Sequence, residues 1–186
     1  MILAGVDIET TGLLAADHRI IEVYIGLWNG STKVFSFEQR IDPQRGIAAD
    51  AQRVHGISAS DLIGKPTWDT VGPAVFKVLN KASMFVWHNG DEFDGPFLDQ
   101  ELKRIGLELP KRPAIDTMAN GIFATPDGKK PRLSELCFAA GIPYDAAQAH
   151  AAAYDVDVMM EAFLRIQSWG EHFQLPALQE GISLAA

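Results

Sequence analysis

A single cysteine, Cys137, rules out any intrachain disulfide. With no thiol pair to protect, a reducing cytoplasm is the simplest setting for the chain. Zinc is disfavoured too, because the sequence lacks the Cys and His clusters that such sites use. No apolar run approaches the roughly 20 residues of a membrane span. The opening "MILAGV" has no basic segment and runs straight into acids, so it does not read as a signal peptide. Positive charge is short: 16 Lys and Arg against 24 Asp and Glu leave a net charge of −8. Nucleic-acid-binding domains are usually basic, so this balance speaks against a polyanionic partner unless the acids are gathered where cations would cancel them. Repeats and low-complexity tracts are missing as well. What is present is an ordinary globular composition, 47% hydrophobic and 22% charged over 186 residues, enough for one domain with a sizeable core.

The element order follows from periodicity and turn residues. Ile2, Leu3, Ala4, Gly5, Val6 and Ile8 form a strand buried on both faces. "RIIEVYIGLWNG" (19–30) is a second strand ending in the turn signal Asn29-Gly30, and "TKVFSFEQRI" a third, which makes an antiparallel meander. A short helix before Gly56 and a turn capped by Ser58 or Ser60 come next. Val71, Val75, Val78 and Leu79 predict a helix over 67–82, with Pro73 allowed only in its first turn. "MFVWH" (84–88) is a buried strand, and 94–109 an amphipathic helix ending near Gly106. "PAIDTMANGIF" reads as a strand running into a helix, and "LSELCFAAGI" as a helix stopped by Gly141 with Cys137 in the core. A last helix spans about 150–169, and the tail beyond Gly170 is expected to fray. Three strands followed by alternating helices and strands indicate a mixed α/β sheet flanked by helices.

Asp7 and Glu9 break the apolar pattern of the first strand. Two residues apart on a strand, they point to the same face. Further acids follow at Asp91, Glu92, Asp94, Asp155 and Asp157. Singly, each is explained as a solvated surface group or, at a helix start, as a complement to the macrodipole. Convergence would change that. If the first and fourth strands are adjacent and parallel, Asp7, Glu9 and Asp94 reach the same sheet end, where ligands bind in open α/β folds. A divalent cation would then offset their repulsion, and oxygen-only ligands select Mg²⁺ or Mn²⁺.

"DIETTG" (7–12), "HNGDEFDGPFL" (88–98) and "HAAAYD" (150–155) together resemble the three motifs of the DEDDh family of 3′–5′ exonucleases, with an RNase H-like five-stranded sheet. "IDPQRGIAADAQRVHGIS", "AIDTM" and "LSELCFAAGI" fall in the expected order, so the likeness spans roughly residues 3–166 of an exonuclease domain placed at 1–170, with 171–186 as a tail. The resemblance implies Asp7 and Glu9 in motif one, Asp94 in motif two and Asp155 in motif three as ligands of two Mg²⁺ or Mn²⁺ ions. It makes His150, five residues before Asp155, the general base. A sister subgroup has tyrosine four positions before the aspartate, where this chain has Ala151, so Tyr154 is not its equivalent. One extra residue between Asn89 and the Phe93-Asp94 pair is closer to the TREX-type members than to the polymerase III epsilon type.

The same resemblance implies a two-metal hydrolysis in which cations about 3.5–4 Å apart hold the attacking water and the leaving 3′-oxygen. His150 would take the water's proton, work suited to an imidazole, and 5′-mononucleotides would leave from a free 3′ end. Thr10, Thr11, Gly12 and Leu13 stand where family members grip the terminal nucleotide, with His55, Asn89 and Phe93 as further contacts. The basic clusters at 103–112 and 127–132 could touch phosphates. DNA, single-stranded or frayed, is the favoured substrate. An exoribonuclease and a noncatalytic nucleic-acid-binding module with this fold are the alternatives. A polymerase partner or a homodimer cannot be read from the residues.

Overall fold

The computed structural model describes residues 1–175. Five strands, β1 (Ile2–Thr10), β2 (Ile20–Asn29), β3 (Thr32–Arg40), β4 (Met84–Trp87) and β5 (Ala114–Asp116), form one sheet in the order β3-β2-β1-β4-β5. The first three make the expected antiparallel meander, while β4 runs parallel to both β1 and β5. The mixed RNase H-like sheet is therefore observed, with β1 at its centre.

Alternation along β1 divides the core in two. Ala4, Val6 and Ile8 face α2 (Trp68–Leu79) and α3 (Asp94–Arg104), where Trp68, Val75, Phe97 and Leu98 are buried with them. Leu3 faces the other way, toward α4 (Leu133–Ala140) and α5 (Ala152–Gln167), with Met84, Met159 and Phe163. Gly5 lies on this second face because α5 rests almost on the strand: a Cβ there would stand 2.8 Å from both Met160 Cγ and Val156 Cγ1. Asp7 and Glu9 continue the same face beyond Gly5, pointing to the side from which α5 arrives.

Four expectations are corrected. Pro73 is the sixth residue of α2, not in its first turn. Both Pro73 and Asp69, whose carbonyl loses its partner, are exposed, so water satisfies it. β5 is followed by a turn and a 3-10 segment, Ile122–Ala124, instead of a helix. α5 starts at Ala152, with His150 outside it at φ 64°, whereas α3 ends at Arg104, near Gly106 at φ 74° as expected. The tail is docked as far as it is described: Phe173 is buried against Phe163 and Phe123, and His172 stacks on Phe123 with centroids 3.6 Å apart. The fraying expected beyond that, around Pro176 and Gly181, falls outside the described residues. Around Gly56 the reading holds. α1 (Ala49–His55) stops there at φ 72°, and Asp61 accepts the Ser58 N–H at the next turn. Among the described residues, no helix is long and apolar enough to cross a membrane.

Candidate active site

β1 carries Asp7 and Glu9 at its carboxyl end, beside the parallel strand β4. The chain leaving β4 turns through Asn89, at φ 71°, into α3, whose first residue is Asp94. Asp116, at the end of β5, shapes that turn: its carboxylate accepts N–H bonds from Asn89 (3.0 Å) and Asp91 (3.1 Å), and from Met118 and Ala119 behind it. Asp155 sits in the first turn of α5, and its Oδ2 accepts the His150 N–H at 2.9 Å.

These acids converge. Burial pushes Asp7 well above the usual carboxylate range, and the charges of Asp94, Glu9 and Asp155 push it the same way. Glu9 rises to about 8, through burial first and then Glu22 on the neighbouring strand. Asp94, 3% exposed, rises to about 7 through burial, partly offset by backbone groups of Asp94 itself and Ile8. Asp155 is raised by burial and held back by His150.

The other acids of these motifs are engaged elsewhere. Asp91 accepts the Trp87 indole N–H at 2.9 Å, Glu92 pairs with Lys130 and Asp157 with Lys33, both at 2.7 Å. Tyr154 is occupied as well, its hydroxyl accepting the Asp145 N–H.

Two separate cavities border the acids. The first, about 650 Å³, reaches Glu9 and is lined mostly by apolar groups, among them Leu13, Leu14, Val54 and Phe93. Thr10, Gly12 and His55 border it too. Leu13 is 80% exposed, an apolar side chain standing free at the mouth. Thr10 donates its hydroxyl to the Gly12 carbonyl at 2.7 Å, which tightens the turn. Thr11 is turned inward: fully buried, its hydroxyl oxygen accepts the Arg19 N–H and contacts His18 Nδ1, both at 3.0 Å. His55 Nδ1 accepts the Ile57 N–H, so the neutral ring carries its proton on Nε2. The second cavity, about 490 Å³, holds Asp7, Asp155, His150 and Asn89.

Three residues outside the candidate set also shape the site. Glu22, 5% exposed and paired with Arg40 at 2.8 Å, stands opposite Glu9 in the β1–β2 register. A lone acid inside the apolar "IIEVYIGLW" was the available signal. His18 packs on Gly12, where a Cβ would lie 2.3 Å from the ring, and so sets the shape of the first cavity. No local pattern marks it. His88 borders the second cavity, held neutral with a pKa lowered to about 4 by burial. It stands first in "HNGDEFDGPFL", straight after the "MFVW" strand.

Whether these residues suit a divalent cation is decided by their donors. All four are carboxylates, which hard ions prefer, and Asp94 Oδ1 and Asp155 Oδ1 are buried without a hydrogen-bond partner. Buried acids with free oxygens and raised pKa values need either protons or a cation. Among the described residues, no three His, Cys, Asp or Glu side chains stand as a ready-made chelate; the fit rests on the all-oxygen donor set and on these two unpartnered buried oxygens.

The sequence matches the family described as exonuclease, of the RNase T type, over residues 5–163. This chain belongs to that family of DEDD-type 3′–5′ exonucleases. It is accordingly a hydrolase acting on nucleic acid. It is 33% identical over 168 residues to the DNA polymerase III epsilon subunit of Rickettsia felis, covering 86% of this chain and 71% of that one. The Treponema pallidum epsilon subunit is 31% identical over 159 residues, covering 84% and 72%. The PolC-type DNA polymerase III of Bacillus subtilis matches at 32% over 162 residues, 86% of this chain but only 11% of the polymerase. In fold, the exonuclease resembles E. coli exonuclease I in its zinc-bound complex with single-stranded DNA. The TM-score is 0.79 and the identity 15%, over 90% of this chain and 40% of exonuclease I.

Proposed function

We propose that this exonuclease removes 5′-mononucleotides from single-stranded or frayed 3′ ends of DNA, using two carboxylate-held divalent cations and His150 as general base. The observation that carries the reading is the placement of half-buried Asp7 beside Asp94, Glu9 and Asp155, whose charges all push its pKa up. Asp7, Glu9 and Asp155 would hold one ion and Asp7 with Asp94 the other. Once bound, Mg²⁺ or Mn²⁺ supplies charge neutralisation at the scissile phosphate and a more acidic water.

The side chains divide the remaining work. His150 is exposed and borders the cavity containing Asp7 and Asp155, while its backbone N–H is tied to Asp155. The imidazole is thereby hung beside the acids with room to accept a proton from water. Leu13, Leu14, Val54 and Phe93 offer apolar faces to a terminal base, and base stacking is worth about 1–3 kcal/mol per base. Backbone groups of Thr10 and Gly12 lie at the same cavity, beside Glu9. A base must leave its duplex partner to enter such a cleft, which favours unpaired ends.

DNA is preferred over RNA in this proposal because the curated relatives are named as DNA polymerase III components and the structural neighbours contain DNA oligonucleotides. The epsilon names also motivate a polymerase partner, and a cytoplasmic setting goes with it. Residues 1–170 form the proposed catalytic unit, with residues 171–175 packed on it.

The test is direct. With Mn²⁺, the protein should shorten a 5′-labelled DNA oligonucleotide one nucleotide at a time, and Asp7→Ala should not. Faster shortening of an RNA oligonucleotide would assign an exoribonuclease. Tight binding without metal-stimulated shortening would leave a noncatalytic nucleic-acid-binding module.

A further inference from the structure

The second cavity contains a cation the mechanism above does not use. Arg132 borders it, together with Asp7, Asp155, His150 and Asn89. The neighbouring lysines are already engaged: Lys129 pairs with Glu135 at 3.3 Å and Lys130 with Glu92 at 2.7 Å. Arg132 differs. Glu135 accepts its backbone N–H at 2.8 Å, which fixes the main chain at the start of α4, but among the described residues its guanidinium makes no hydrogen bond or ion pair. An exposed, uncommitted guanidinium therefore shares a cavity with the acids.

The two cavities have no lining residue in common: Glu9 borders the first, Asp7 and Asp155 the second. A strand whose terminal nucleoside fills the first, with its scissile phosphate at Asp7, reaches the second at that phosphate, and its preceding nucleotide follows there. The second cavity, at about 490 Å³, is large enough to receive it. The planar fork of an arginine suits two oxygens of a phosphodiester. We infer that Arg132 is a positioning residue for the substrate strand, holding the phosphate one linkage upstream of the scissile bond. This rests on the exonuclease reading proposed above. Such a contact sets the register of the 3′ end over the acids and carries no base preference.

A DNA oligonucleotide with one uncharged methylphosphonate at the second linkage from its 3′ end isolates that contact. Release of the terminal nucleotide, the first step only, is followed with Mn²⁺ for wild type and Arg132→Gln on modified and unmodified strands. Wild type should lose roughly tenfold in kcat/KM on the modified strand, the scale of one charge-assisted hydrogen bond. Arg132→Gln should lose as much on the unmodified strand and nothing further on the modified one, and Arg132→Lys should recover part of it. Equal losses by the variant on both strands, or indifference of wild type to the methylphosphonate, overturn the assignment while leaving the enzyme reading intact. A wild-type protein that cleaves neither strand overturns that reading itself.

Discussion

Glu9 and Glu22 stand opposite each other across the β1–β2 ladder, and among the described residues only Glu22 is paired with a cation, Arg40. Like charges placed directly opposite destabilise a sheet. Glu9, raised to about 8, keeps its proton at neutral pH unless a cation replaces it. The consequence is measurable. Asp7, Glu9 and Asp94 all have folded-state pKa values above their ordinary ones, so the folded chain binds more protons than the unfolded one. Stability of the metal-free protein is then fullest below about pH 4 to 4.5 with respect to these groups, and falls as pH rises through about 8. Thermal melts in EDTA should show that decline, and Mn²⁺ added at pH 8 should reverse it by binding the folded state. A melting temperature flat over this window, and unmoved by Mn²⁺, contradicts the electrostatic account.

Asp7→Asn removes the charge at the centre of the cluster. Hydrolysis should be lost, while the metal-free melting temperature at pH 8 rises by about 2–4 °C for each kcal/mol of repulsion relieved. Calorimetry on the two proteins checks both signs. An active variant, or one less stable than wild type, goes against the placement of Asp7.

His150 should matter for rate and not for folding. Its ring is exposed, so His150→Ala leaves the melt unchanged and lowers kcat by about 10²- to 10⁴-fold, the usual range for a general base. A wild-type rate from this variant would move the base elsewhere.

Gly5→Ala tests the seat of α5. The new methyl meets Met160 and Val156 at 2.8 Å, an overpacking worth about 1–3 kcal/mol. Because α5 carries Asp155, the shift that relieves the clash should also reduce activity. Urea unfolding and nucleotide release, measured on the same sample, should fall together.

Glu101 is the acid whose role is wholly structural. Buried at 1% exposure, its Oε1 accepts from Arg19 (2.7 Å), Arg104 (3.0 Å) and the Ile20 N–H (3.2 Å), which binds α3 to the β1–β2 connection. Glu101→Ala leaves those groups unpaired and should destabilise the protein by about 3–5 kcal/mol. Chemical denaturation reads this directly.

The central architecture was legible because its signals are local. The apolar run in "ILAGVDIET", the β-branched and aromatic content of "IIEVYIGLW" and the alternation in "TKVFSFEQRI" gave the meander, and helical spacing in α2 and α5 gave the layers. Asp7, Glu9, Asp94 and Asp155 were legible through the spacing of three motifs. Pro73 was misplaced because sequence does not say which face of a helix meets water. The tail was misjudged because nothing local shows that Phe173 has Phe123 and Phe163 to rest on. The inward turn of Thr11 was not legible, because it depends on His18 and Arg19, seven and eight residues away, where the chain enters β2. Glu22 and His18 act only through neighbours that folding brings to them.

Asp116 closes a strand only three residues long, at the rim of the sheet, and from there its carboxylate fastens the turn that delivers Asp94. Rims detach before interiors do. Local opening at β5 would therefore silence hydrolysis while both hydrophobic layers stay assembled. Amide exchange at Asn89 and Asp91 should thus track loss of turnover more closely than exchange in β1.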